Sequence, residues 1–332
     1  MPTNTGKRKK VLGGRSSASL DLTALASSLE RISKGAASGG LGTFLHQHKS
    51  SLLLGATQLV FHCHVINLNG NGQVRLADLI NHLTDSLLDY AIPRSSIAAA
   101  AAHRDATGST RKLMELAREA RDLFTSLKKS GEGGELLLYL LAEEVLKLPQ
   151  LLCKMDLKTS SNVHFHGADG LHVGIGASGK LALYWGESKV YKTFSGALSA
   201  CYDSLAPILL DPVASENRDL QLLSRHMDLN DAALEEALKD FLLPSSPSFN
   251  KLEYRGVCLV GFDVDKYPTN PNCLTIADVC SGLDAHLPGW QASIQRGATS
   301  AGIDSFAIHM FCLPVPSADA FRKSFRHALR VI

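Results

Sequence analysis

Long apolar runs are missing from this sequence. No stretch approaches the roughly eighteen consecutive apolar residues that a membrane-spanning helix needs, so no membrane role is expected. The basic N-terminus carries no apolar segment of the secretory kind, which points to a cytoplasmic protein. The seven cysteines are odd in number and scattered, with no C-x-x-C pair. That argues against a disulfide framework or a zinc knuckle, and for free thiols in a reducing compartment. An excess of charge of one sign is missing too: 34 Lys and Arg stand against 32 Asp and Glu, a formal net charge of +2. Any nucleic-acid-binding surface must therefore be local. No internal repeat is visible. What is present, 45% hydrophobic and 20% charged residues over 332 positions, is the composition of a globular chain of one large or two small domains.

The stretch around which the rest is organised is His164–Lys192, HFHGADGLHVGIGASGKLALYWGESKVYK. Leu171, Val173 and Ile175 alternate with His172 and Gly174, and Leu181, Leu183 and Trp185 with Ala182 and Tyr184, the period of strands. Ala177-Ser178-Gly179 suits a three-residue hairpin loop with Gly179 in the left-handed position. Gly176 then pairs with Lys180, and the same register sets Asp169 opposite Glu187. Facing residues have Cβ atoms about 5 Å apart, so two carboxylates are brought together. They repel unless a cation or a proton lies between them.

The alternation also puts Glu187 and Lys189 on the face of Leu181, Leu183 and Trp185, as in a strand leaving a core to line a cleft. A hard divalent ion with oxygen ligands, Mg²⁺ or Mn²⁺, suits the two acids. Lys189 could orient the attacking water or steady phosphate charge. The pattern D-x17-E-x-K is that of the PD-(D/E)xK nuclease core, with Ala168 where the motif's name has Pro. Against it stands a plain alternative, a solvated hairpin end with an incidental ion pair.

Elsewhere the pattern is mostly helical. Met1–Ser19 is polar and basic, Leu20–Ser33 has helical spacing, and Gly35–Gly42 reads as a joint, together a flexible N-terminal arm over residues 1–50. Thr57–Leu68 alternates as a strand whose His62 and His64 form a polar outer face rather than a metal site. Arg75–Ile92, Ser95–Ala102 and Thr110–Lys129 are helices. Glu135–Leu146 is a nearly all-apolar helix that must be buried. Glu135 shares its inward stripe, while Glu143 and Lys147 pair on its outer face. Glu135 has two readings, a charge matched to the helix N-terminus or a third acid at a metal site. Leu151–Thr159 reads as the first core strand, with Lys154 and Lys158 on one side and able to touch a phosphate backbone. His164 and His166 precede Asp169; a zinc site from the three lacks a further ligand at a usual spacing, and His166 fits better as a proton shuttle or DNA contact. Helices follow over Gly196–Leu210 and Ser215–Leu243, then buried strands Leu252–Phe262 and Phe306–Leu313 and a closing helix Ser317–Val331.

GELLLYLLAEEVL, HGADGLH, LYWGESKVYK and the late FCLPVPS before the last helix resemble the HamA family, the nuclease subunits of the bacterial Hachiman anti-phage defence system, over about Leu59 to the C-terminus. The resemblance implies an α/β (α+β) domain with a mixed sheet and flanking helices, of the restriction-endonuclease-like kind. It would occupy residues 51–332, with its motif core at 135–210. It also implies a metal-dependent DNA nuclease restrained by a helicase partner, HamB. In that reading Asp169, Glu187 and the Ser188 carbonyl hold Mg²⁺ or Mn²⁺, Lys189 positions water, and Glu135 supports the metal. Lys154, Lys158 and His166 contact substrate. A different class remains open, a catalytically silent subunit that docks a helicase through its N-terminal arm and Thr110–Lys129.

Overall fold

Leu181–Tyr191, Leu252–Asp263 and Ile308–Val315 are apolar on both faces for most of their length, which obliges the chain to cover a sheet on two sides. The computed structural model describes residues 22–33, 40–125, 131–153, 168–176, 178–211, 220, 223–271 and 274–331. Among these, six strands form one mixed sheet: β1 (Leu45–Leu53), β2 (Leu59–Ile66), β3 (Gly170–Ile175), β4 (Leu181–Tyr191), β5 (Leu252–Asp263) and β6 (Ile308–Val315), in the order β1-β2-β6-β5-β4-β3. The four inner strands are parallel, and β1 and β3 close the edges antiparallel.

The described helices, in chain order, are α1 (Leu22–Ile32), α2 (Leu41–Phe44), α3 (Leu76–Asp85), α4 (Leu87–Ala91), α5 (Arg94–Thr107), α6 (Arg111–Thr125), α7 (Glu132–Leu140), α8 (Phe194–Leu210), α9 (Ala232–Leu242), α10 (Ile276–Asp284), α11 (Leu287–Ser300) and α12 (Ala318–Val331). Leu181, Leu183 and Trp185 of β4 pack with α8 and α11 on one side of the sheet. Ala182, Tyr184 and Val190 pack with α3, α7 and α12 on the other. The mixed sheet with helices on both faces is the α/β arrangement the sequence predicts. Leu25 and Leu29 of α1 are buried in the first of these cores, so this helix is packed against the body of the protein.

The β3–β4 hairpin keeps the expected register. Ile175 pairs with Leu181 and Gly170 with Gly186, the Gly176 N–H donates to the Lys180 carbonyl at 2.8 Å, and Gly179 has φ +71°. The ladder is six residues long while β4 has eleven. Glu187–Tyr191 therefore run on past β3, held by β5 on one side only of the two. That overhang makes the floor of the site.

Two readings are corrected by the fold. His62 and His64 do not form an outer face, since β2 lies between β1 and β6 and is covered on both sides; His62 is 0% exposed. Its Nε2 lies 3.0 Å from His309 Nδ1, and its ring stacks on Phe311. Burial, with each histidine's neighbours adding to it, lowers His62 to about 3 and His64 and His309 to about 4, so all three are neutral near pH 7. Glu143 is likewise buried rather than paired outside with Lys147. The helix is covered on every side, Leu136, Tyr139 and Leu140 on the same face being buried too, and it widens into a π turn at Leu141–Val145 around Glu143. There the Glu143 carboxylate accepts hydrogen bonds from Ser33 Oγ at 2.9 Å and the Gln150 N–H at 2.9 Å, and pairs with Arg94. Leu151–Thr159 falls mostly outside the described residues; next to it, Gln150 makes an isolated bridge to His172. Lys154, Lys158, His164 and His166 also lie outside them.

The exposed, bulged edge strand β1 begins at Leu45, inside the stretch read as an arm, because it has no alternation to read. Helix α10 opens on a capping box, Thr275 with Asp278, a signal the sequence does carry.

Candidate active site

Four elements converge on a cavity of about 440 Å³ at the open end of β4: the start of α7, the turn into β3, the β4 overhang and the start of α12. Glu132 and Glu135 enter from α7, Asp169 from the turn, Ser188 and Lys189 from β4, and Arg322 from α12. The pairing that brings Asp169 to this place continues the ladder by one step, its N–H donating to the Gly186 carbonyl at 2.7 Å. Its carboxylate then bends over the end of the strand. Oδ2 accepts from the Ser188 N–H at 2.8 Å and from Ser188 Oγ at 2.9 Å. Ser188, like Gly186, directs its backbone toward the β3 side, because alternate residues of a central strand serve alternate neighbours.

Glu187 has the opposite side-chain parity and sits behind the cavity, toward Cys201 and Ser204 of α8, only 2% exposed. It is thus more deeply buried than a cleft-lining residue. One oxygen contacts Lys189 Nζ, while Oε2 is buried without a hydrogen-bond partner. Burial and then the Asp169 charge push the Glu187 carboxyl up to about 7; Lys189 and Ser204 pull the other way. Lys189 is half-buried, which lowers its pKa, but Glu187 and Asp169 outweigh this and hold the ammonium charged. Carboxylate repulsion, expected from the register, is therefore present. A proton or an added cation relieves it.

The sequence also left some participants unnamed. Tyr90 of α4 is buried beneath the site, and its hydroxyl donates toward Glu135 Oε2 at 3.4 Å and the Asp169 carbonyl at 3.3 Å. Burial and the two acids keep that phenol protonated. Arg322 donates to the Val190 carbonyl at 3.1 Å and pairs with Asp319. Glu132 shares the Glu135 stripe three residues earlier, a signal the sequence carries; Tyr90 and Arg322 are brought in by tertiary packing alone.

Among the described residues the cavity and its wall hold four carboxylates, Glu132, Glu135, Asp169 and Glu187, against two cations, Lys189 and Arg322. All the donors are hard oxygens, which fits Mg²⁺ or Mn²⁺ rather than zinc. No three His, Cys, Asp or Glu side chains of the described residues form a ready metal cluster. Asp169 is instead engaged by Ser188 and Glu187 by Lys189, contacts with which an ion would compete.

Burial of Glu187 has a measurable consequence. A carboxyl whose folded pKa lies above its unfolded one stabilises the fold at acid pH, and this contribution is lost as pH rises from about 4.5 through about 7. Glu187→Gln, which cannot ionise, should match the wild type at pH 5 in EDTA. At pH 8 it should exceed it by about 2 kcal/mol, as read from urea midpoints. Equal stability of the two proteins across that range would show that Glu187 is not held protonated by its surroundings.

A mixed-sheet α/β protein with an Asp–Glu–Lys cluster at an open strand end, its Glu buried and its Asp and Lys lining a cavity, is the class that fold and site define. The family model for HamA matches residues 42–329, and the chain belongs to the HamA family. With that membership comes a role in Hachiman anti-phage defence. No curated protein matches the chain. No helix among the described residues is long and apolar enough to cross a membrane.

Proposed function

We propose that this chain is the DNA-cleaving effector of its defence system, a metal-dependent phosphodiester hydrolase restrained by a helicase partner. The observation that supports this most is the meeting of Asp169, Glu187 and Lys189 at the open end of β4, the D-x17-E-x-K constellation of PD-(D/E)xK nucleases. Asp169, Glu187 and the Ser188 carbonyl would hold Mg²⁺ or Mn²⁺, with Glu135 in support. The bound ion would supply a Lewis acid for the phosphate and a more acidic water. The Ser188 carbonyl lies on the same side of β4 as its N–H, which already meets Asp169.

The protein's own groups have distinct tasks. Lys189, kept charged by Glu187, orients the attacking water and meets charge growing on the phosphate. Arg322, held on the Val190 carbonyl next to Lys189 in the chain, can grip a second phosphate oxygen with its planar fork. Tyr90 holds Glu135 and the Asp169 backbone in place from beneath. Lys154, Lys158 and His166 are proposed to contact the DNA flanking the cut.

Supercoiled plasmid incubated with purified protein in Mg²⁺, Mn²⁺ or EDTA tests the reading, with Glu187→Ala/Lys189→Ala as control. Metal-dependent loss of supercoils by the wild type alone is the expected result, if necessary with the helicase and ATP present to relieve restraint. Cleavage that survives in the double variant, or no cleavage under any of these conditions, would overturn it.

A further inference from the structure

A second cavity, of about 380 Å³, opens beside the first, where β4 and β5 end against α11. The two share a rim. Tyr191 lines the catalytic cavity and Lys192, the next residue, lines the second. Asp319 joins them, pairing with Arg322 on one side and with Lys192 Nζ at 3.2 Å on the other. The wall of the second cavity is a row of near-parallel rings. His286 lies over Trp290 with planes 15° apart and centroids at 5.9 Å, and Phe194 follows at 26° and 5.8 Å. Phe262 supports Trp290 edge-on at 4.8 Å.

His286 is exposed, and Phe194 and Trp290, packed against the core on one side, are only partly covered. A surface row of aromatic faces is suited to planar partners, and lysines at its edge suit a phosphate chain. The acids of the cavity are committed: Asp263 accepts from the Ala318 N–H at the start of α12, and Asp265 pairs with Lys266 at 2.9 Å. Lysines and acids are thus matched within the cavity, which suits an uncharged base there and leaves the phosphate to the Lys192–Arg322 rim.

We propose that this cavity takes an unpaired nucleobase of the DNA strand whose phosphate enters the catalytic cavity, and so selects single-stranded or frayed DNA. The inference rests on the nuclease reading for its substrate. A duplex keeps its base faces stacked and cannot offer one to the ring row. Asp319 acts as a stand-in anion, neutralising Lys192 and Arg322 until backbone phosphate replaces it.

Tryptophan fluorescence separates this from cleavage. The chain has two tryptophans, and Trp185 lies buried in the core, so quenching by a ligand reports on Trp290. Wild-type protein is titrated in EDTA with a thymidine 12-mer, with the same strand annealed to its complement, and with each again in 0.5 M salt. Saturable quenching by the single strand, at least ten-fold tighter than by the duplex, is expected. The signal should vanish in Trp290→Phe, and Lys192→Ala/His286→Ala should weaken binding about ten-fold. Absence of quenching, equal affinity for duplex, or wild-type affinity in the double variant would overturn the proposal. Because EDTA removes catalysis from the measurement, plasmid cleavage can stand while this pocket fails, and the reverse.

Discussion

Lys189→Met should lower plasmid cleavage at saturating Mg²⁺ by on the order of 10²–10⁴-fold, with metal binding retained at pH 8.5. The side chain contacts Glu187 and feels Asp169, so its charge is held where it can face a phosphate or its water. Methionine keeps much of the length and none of the charge. Without the ammonium, Glu187 loses one of the groups drawing its pKa down, and at pH 7 a proton competes harder with the metal. At pH 8.5 that competition fades, and calorimetric titration with Mn²⁺ should give an affinity close to the wild type. Asp169→Asn should behave differently, losing cleavage and Mn²⁺ heat together, because in the proposed site it would remove an anionic ligand rather than the group beside it. If both variants lost metal at pH 8.5, Lys189 would be a structural partner of Glu187 and not a group that faces substrate. If both cleaved normally, the site would lie elsewhere.

Glu143→Ala should cost about 3–5 kcal/mol of stability, more than removal of a site acid. Its carboxylate is 0% exposed and takes hydrogen bonds from the Ser33 hydroxyl and the Gln150 N–H, and Arg94 approaches at 3.4 Å. Arg94 in turn donates to the Ile32 carbonyl at 2.7 Å. One carboxylate therefore ties the end of α1, the start of α5 and Gln150, which itself bridges to His172 of β3. Truncation leaves a mostly buried guanidinium without its counter-charge and a backbone N–H without an acceptor. Glu143→Gln, which keeps acceptors but not charge, should recover part of the loss. Urea denaturation of the three proteins decides the matter. A change under about 1 kcal/mol for the alanine variant would mean that this network does not hold the elements together. Such a loss should also weaken the site, since Gln150 bridges to His172 of β3, the strand that follows directly on Asp169.

Local pattern was enough for much of this chain. Period-two alternation and one glycine turn determined the β3–β4 hairpin, its register and hence the approach of Asp169 to Glu187. The apolar stripe of Glu135–Leu146 likewise foretold a buried helix with Glu135 at its inner start. These features are short-range, and each residue's side is dictated by strand or helix geometry. Tertiary structure decided what no local period records. The order β1-β2-β6-β5-β4-β3 inserts β6 beside β2, which buried His62 and His64 although their own strand alternates as an exposed one would. Burial of α7 on every side placed Glu143 inside, in the π turn that follows this helix, although its i,i+4 spacing to Lys147 suggested an outer pair. Arg322 reaches the cavity, and Tyr90 its underside, from elements 153 and 79 residues from Asp169 in sequence. Glu187 was legible as a site acid, but its near-complete burial was not, because that depends on α8 folding back over the end of β4. Covalent neighbours dictated which groups could meet in the hairpin; packing of distant helices decided how charged, how buried and how well supported that meeting is.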